Sequence, residues 1–233
     1  MAAGEIVGVA GLVGAGRSTL AKALSGLLPD ATGTLEIGGK PARFGSPHRQ
    51  LGRGLGFVPE DRRNEGLVLI HGLADNMALP NLDQLGGRGA LGPIFRRGAN
   101  QMFARWAAAL SLVARGPGQP ASELGGGNQQ KVVFATWLAS NLAALVLDEP
   151  TSGVDVNAKA NMRAALTRSA REDGVGILLI NSELDELAAI CDRILLMDKG
   201  KVVGTLDPRD GEAALLAAVL STSVAHQSPK EPT

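Results

Sequence analysis

Apolar positions along the chain fall into short runs, separated by longer stretches in which apolar residues recur at helical spacing. The runs at residues 5–10, 143–148 and 176–181 have strand length and lack a polar alternation. That is the pattern of strands covered on both faces, as in a parallel sheet with crossover helices. Residues 18–28, 155–172 and 184–190 read as helices, the first stopped by Pro29. Residues 34–37 and 57–59 read as further strands, with Gly38-Gly39 as a turn. Two more strands, 193–197 and 201–204, flank a Lys199-Gly200 turn. Strands alternating with helices predict an α/β fold.

The stretch from about 67 to 141 departs from this alternation. Ala-rich helical text at 101–113 and 127–141 is broken by Gly-rich loops at 86–92 and 116–120. It reads as a helical insertion into the α/β core. Residues 221–233, rich in Ser, Thr and Pro, are expected to form a disordered tail, leaving one domain over 1–220. No internal repeat is present.

Composition narrows the function. Hydrophobic residues make up 45% of the 233 positions and charged residues 20%, enough apolar content for a full core. Lys plus Arg (23) equals Asp plus Glu (23), so the basic footprint of a nucleic-acid binder is missing. No run approaches the ~20 apolar residues of a membrane-spanning helix, so any membrane link passes through a partner. The N-terminus has no basic region and no cleavage signature, so no secretory signal is expected. Cys191 stands alone and reads as buried, which fits a reducing compartment. His48 and His71 have no partners at ligand spacing and read as surface residues, and His226 lies in the expected tail. Trp106 and Trp137 sit in helical text and read as core.

Three motifs carry chemistry. Gly11-Leu-Val-Gly14-Ala15-Gly16-Arg17-Ser18-Thr19 follows a strand and opens a helix, and it matches the phosphate-binding loop except for Arg17 in place of lysine. Glycines let successive amides turn toward phosphate oxygens, and the helix adds its positive end. Ser18 would supply a hydroxyl to Mg²⁺ and Thr19 a second hydroxyl to the phosphates. The run 145–150 is an apolar strand ending in Asp148, Glu149 and Pro150. Asp148 would hold Mg²⁺ and Glu149 would polarise an attacking water. Leu124-Gly125-Gly126-Gly127-Asn128-Gln129 leads into a helix some 20 residues before the acidic strand, a second helix N-terminus built to face an anion.

Motifs in this order and spacing resemble the ATP-binding-cassette family over nearly the whole chain. The finer match is to the C-terminal cassette of tandem simple-sugar importers: Asn128-Gln129-Gln130-Lys131, Val58-Pro59-Glu60-Asp61-Arg62-Arg63 and Ile180-Asn181-Ser182-Glu183 all look like that group. The resemblance implies a P-loop nucleotide-hydrolase core with an inserted helical subdomain, ATP and Mg²⁺ as ligands, and residues 124–129 as a signature loop facing a partner's nucleotide. It implies three kinds of partner: a second cassette fused upstream, membrane permease subunits, and indirectly a sugar-binding protein outside the membrane. It places the chain at the cytoplasmic face of the membrane, without revealing the sugar.

Departures from the family pattern are Arg17, Glu60 where a magnesium-sensing glutamine is usual, Ser182 at the switch-histidine position, and Gly125 for the signature serine. Only Gly125 is atypical of the sugar group's C-terminal cassette. The family's earlier antiparallel strands and adenine-stacking aromatic have no counterpart, so the N-terminal part of the fold reads as truncated. Asp61-Arg62-Arg63 reads either as a solvated charge cluster or as a surface facing the permease.

Overall fold

The computed structural model describes residues 1–85 and 96–224. A six-stranded sheet forms its centre: β1 (Ile6–Ala10), β4 (Leu55–Val58), β5 (Ala144–Asp148), β6 (Gly176–Ile180), β7 (Arg193–Asp198) and β8 (Lys201–Leu206), in the order β4-β5-β6-β1-β7-β8. The first five run parallel, and β8 returns antiparallel to β7 through the Lys199-Gly200 turn. Both turn residues have positive φ, as a two-residue hairpin requires.

Side chains leave the sheet alternately to its two faces. Ile6, Val58, Leu145, Leu147, Ile177, Leu179, Ile194 and Leu196 join one core cluster, while Val7, Val9, Leu55, Val146, Leu178 and Ile180 join a second. The larger cluster lies against the inserted helices α3 (Leu73–Ala78), α5 (Arg96–Ala109) and α6 (Gly126–Leu138). It also takes in α7 (Val156–Asp173), α8 (Leu184–Ile190) and α9 (Glu212–Val224). The smaller cluster is covered by α1 (Arg17–Leu24) and the β2 (Leu35–Ile37)–β3 (Lys40–Ala42) hairpin. All-apolar strand runs follow from this two-sided cover.

The helical insertion occupies the connection between the adjacent strands β4 and β5, as its composition predicts. α6 carries the insertion's packing, with Val132, Val133 and Phe134 fully buried. Asn76 staples the entry loop: its side chain accepts from Val68 N and donates to the carbonyls of Val68, His71 and Gly72. Trp106 and Trp137 pack against the main core but remain partly exposed. Cys191 is buried and His48 and His71 are exposed, as expected.

Several boundaries differ from the sequence reading. α1 stops at Leu24, well before Pro29, because Gly26 adopts the left-handed conformation (φ 79). Gly26 N then bonds Ala23 O and Leu27 N bonds Lys22 O, a glycine-terminated helix end. Short elements have no counterpart in the periodicity, among them β3, α2 (Pro47–Leu51), the π-helical turn Arg62–Gly66, α3 and α4 (Leu82–Leu85). α9 continues to Val224, so the expected tail at 221–233 begins as helix, driven by burial of Leu215 and Val219. Residues 225–233, the expected Gly-rich loop at 86–92 and His226 lie outside the described residues.

Candidate functional site

The C-terminal ends of β1, β4, β5 and β6 converge on one edge of the sheet, where ligands of open α/β sheets are held. Residues 11–16 turn from β1 into α1. Gly14 (φ 83) and Gly16 (φ 95) take left-handed conformations that bulkier residues resist. A Cβ on Gly11 would stand 2.5 Å from Met197 O. The loop is tied down by Ala15, whose N donates to Leu12 O (3.0 Å) and whose O accepts from Gly200 N (2.8 Å). Gly16, the N-cap of α1, provides no side-chain cap, and the first turn carries no acid. Such an end is satisfied by an anion. Ser18 is partly buried and Thr19 exposed.

Asp148 closes β5 at 1% exposure, and its Oδ1 has no hydrogen-bond partner. Burial raises its pKa; a hydrogen bond from Ser18 opposes the shift, while the nearby Glu60 and Glu149 carboxylates add to it. An orphaned buried carboxylate oxygen beside a serine hydroxyl and a second carboxylate is a hard-oxygen donor set that fits Mg²⁺. The structure thus brings together Ser18, Glu60 and Asp148.

Glu149 follows with φ 47, a conformation costing about 1 to 3 kcal/mol that its surroundings must hold. Its N donates to Ile180 O (3.0 Å). Its Oε2 accepts from both the N and the Oγ of Ser182, each at 3.0 Å. Its Oε1 lies 3.6 Å from Arg17 Nη1, which also donates to Asn181 O at 3.1 Å. The loop cation thus reaches across to the carboxylate at the end of the neighbouring strands. Asn181, 2% exposed, fixes this corner: Nδ2 donates to Thr151 Oγ1 (3.0 Å) and Oδ1 accepts from Glu183 N (2.9 Å). In the sequence Asn181 stands only as part of a resemblance motif, and neither it nor Thr151 is assigned a role there; a polar residue directly after an all-apolar strand is the available signal for Asn181.

Residues 124–129 form a separate surface. Gly125 is the N-cap of α6. Leu124 and Gln129 are buried, Gln129 Nε2 donating to Ala121 O (3.0 Å). Asn128 Oδ1 accepts from Val113 N (3.1 Å). These three side chains therefore support the loop, and Gly125, Gly126 and Gly127 form its open part. Among the described residues no hydrogen bond or ion pair joins 124–129 to the phosphate loop. Arg62, in the cluster that reads either as solvated charge or as a surface facing the permease, lies on this surface: a Cβ built on Gly126 would collide with its guanidinium.

A family model described as ABC transporter matches residues 1–152. The chain is 42% identical over 94% of its length to "Ribose import ATP-binding protein RbsA 2" of Mesorhizobium japonicum, covering 43% of that protein. It is 41% identical over 85% of its length to "Putative ribose/galactose/methyl galactoside import ATP-binding protein 3" of Agrobacterium fabrum, covering 39% of it. The chain thus spans less than half the length of these relatives. Among solved structures, a dimeric ATP-binding cassette in a post-hydrolysis state bound to ADP and Pi aligns with TM-score 0.75 at 23% identity. The alignment covers 88% of this chain and 86% of that one, a likeness of fold.

Proposed function

The chain belongs to the ABC transporter family, and from that premise we propose that it is an ATP-binding, ATP-hydrolysing cassette driving import of a monosaccharide through a membrane permease. One observation carries the reading: Arg17, Ser18, Asp148, Glu149 and Ser182 gather where the strands end, beside a loop whose amides suit phosphate. The import names of the relatives supply the substrate class.

In this reading the glycine loop and the N-terminus of α1 bind the phosphates. Ser18, Asp148 and Glu60 would hold Mg²⁺, which when bound would neutralise phosphate charge. Glu149, oriented by Ser182, accepts a proton from the attacking water as its oxygen bonds to the terminal phosphorus and the bond to the departing nucleoside diphosphate breaks. The loop Gly125–Gly127 serves nucleotide on a second cassette, fused upstream in the whole protein. Permease subunits and a sugar-binding protein complete the machine at the cytoplasmic face of the membrane.

Arg17 favours a second reading in which this cassette turns over slowly and chiefly completes its partner's site. Its guanidinium is already engaged by Glu149 and Asn181, so phosphate must compete for it. Uptake of labelled ribose, galactose and xylose by a strain lacking the gene tests the importer reading. Loss of at least one uptake activity, restored by wild type and not by Ser18→Ala, is expected. Unchanged uptake of every sugar, with ATP binding by the chain indifferent to magnesium, would contradict it.

A further inference from the structure

We propose that Arg62 is a phosphate-binding residue of the signature surface, its guanidinium donating to the terminal phosphate of a nucleoside triphosphate held by a facing cassette. The inference rests on the cassette reading above. Three observations lead to it.

The first is placement. Arg62 opens the π-helical turn Arg62–Gly66, and its guanidinium lies directly on Gly126, the first residue of α6. A Cβ on Gly153 would stand 4.0 Å from both of its terminal nitrogens. The group therefore occupies the notch between the signature loop and the turn after Glu149.

The second is an unsatisfied donor. Arg62 forms no ion pair among the described residues, and its Nε is buried with no hydrogen-bond partner. Asp61 feels the Arg62 charge, but its oxygens and those of Asp155 are taken up by other donors. Asp61 accepts from Arg63 N, Asn64 N and Asn64 Nδ2, and Asp155 caps α7 by accepting from Ala158 N. The first turn of α6 contains no acid either.

The third is electrostatic. A cation beside a helix N-terminus faces the positive end of the dipole, an unfavourable arrangement unless an anion joins both. Arg62 and the uncapped amides of α6 form such a pair. A guanidinium fork matches a phosphate's oxygens two at a time, and Gly125 has no side chain to compete for them. Among the described residues no hydrogen bond or ion pair ties these donors to the chain's own phosphate loop, so the phosphate they suit is one presented from outside.

Sedimentation velocity of the whole chain in Mg·AMP-PNP and in Mg·ADP tests this, comparing wild type with Arg62→Ala, Arg62→Lys and Gly126→Ala. Wild type is expected to self-associate in the triphosphate analogue and not in the diphosphate. Arg62→Ala should weaken that association at least about tenfold, the lower range for a charge-assisted hydrogen bond. Arg62→Lys should fall between, keeping the charge but losing the fork, and Gly126→Ala should act like Arg62→Ala by displacing the guanidinium. Melting in Mg·ADP should be the same for all four. Arg62→Ala associating as tightly as wild type overturns the inference alone, as does a loss accompanied by a lowered melting temperature. A wild-type chain that binds AMP-PNP yet stays monomeric overturns the facing-cassette reading, and this inference with it.

Discussion

The edge of the sheet that carries the phosphate loop and the surface that carries Gly125–Gly127 treat charge in opposite ways. At the first, Arg17, Glu149 and Ser182 already satisfy one another, and bringing phosphate in means rearranging contacts at 3.0 to 3.6 Å. At the second, among the described residues, Arg62 Nε has no hydrogen-bond partner and the start of α6 has no side-chain cap. A site that must break its own contacts binds more weakly than one already arranged for its ligand, because the reorganisation is charged against affinity. On the proposed function, one fold thus offers a self-occupied nucleotide pocket of its own and a prepared surface for another's.

The largest expected effect tests the prepared surface. Gly127→Asp would set a carboxylate against bound phosphate, where like-charge juxtaposition costs several kcal/mol, so triphosphate-dependent association should fall at least about a hundredfold. Gly127→Ala serves as the volume control: its Cβ would lie 3.4 Å from Gly153 O, a contact that small adjustments accommodate. If the two variants behave alike in sedimentation, charge is not what this surface recognises.

A smaller effect is expected at the self-occupied pocket. Arg17→Lys replaces the fork engaged by Glu149 and Asn181 with a compact ammonium able to sit among the loop amides. Calorimetry should show Mg·ATP binding tightened by about three- to tenfold, a fraction of the strength of the charge-assisted contacts released. Weaker binding would mean that Arg17 reaches phosphate without giving up Glu149.

Ser182→Ala should be milder still. It removes one of the two hydrogen bonds to Glu149 Oε2 and leaves the backbone one. The turnover rate should fall about threefold, in line with a single net hydrogen bond. A loss of orders of magnitude would give the hydroxyl a direct part in the reaction.

Cys191 provides the control for folding. It is buried behind β1, its thiol pushed up to about 12 by burial first and by the Asp192 charge second. In each variant that keeps the fold, labelling by a thiolate-reactive reagent at pH near 8 should stay as slow as in wild type, and denaturant should release it. Rapid labelling of a variant would attribute its defect to unfolding.

Much of the sheet was legible because burial on both faces leaves unbroken apolar runs: β1, β5 and β6 lie within a residue of the expected limits. The order of the strands was not legible, since β1 pairs with β6 and β7 across more than 160 residues of chain. Short elements escaped because a helix such as α2, five residues long, carries too few positions to reveal a period. In the site, Ser18, Asp148 and Glu149 were readable from motif spacing. That Arg17 would engage Glu149 was not, because the meeting depends on how β1, β5 and β6 are aligned. Arg62 was hidden for a related reason: its partner surface is 64 residues ahead of it, and only folding brings Gly126 beneath its guanidinium.

The inequality of the two surfaces is most directly measured in the assembled transporter, by sugar-stimulated ATP hydrolysis of Gly127→Asp and of Glu149→Gln. On the proposed function, damage at the signature surface disables nucleotide on the facing cassette, whereas Glu149→Gln removes only the carboxylate of the pocket that Arg17 already occupies. Hydrolysis should be abolished by Gly127→Asp and reduced several-fold less by Glu149→Gln. If Glu149→Gln is the more damaging of the two, this chain's own pocket is the principal site of turnover, and the inequality runs the other way.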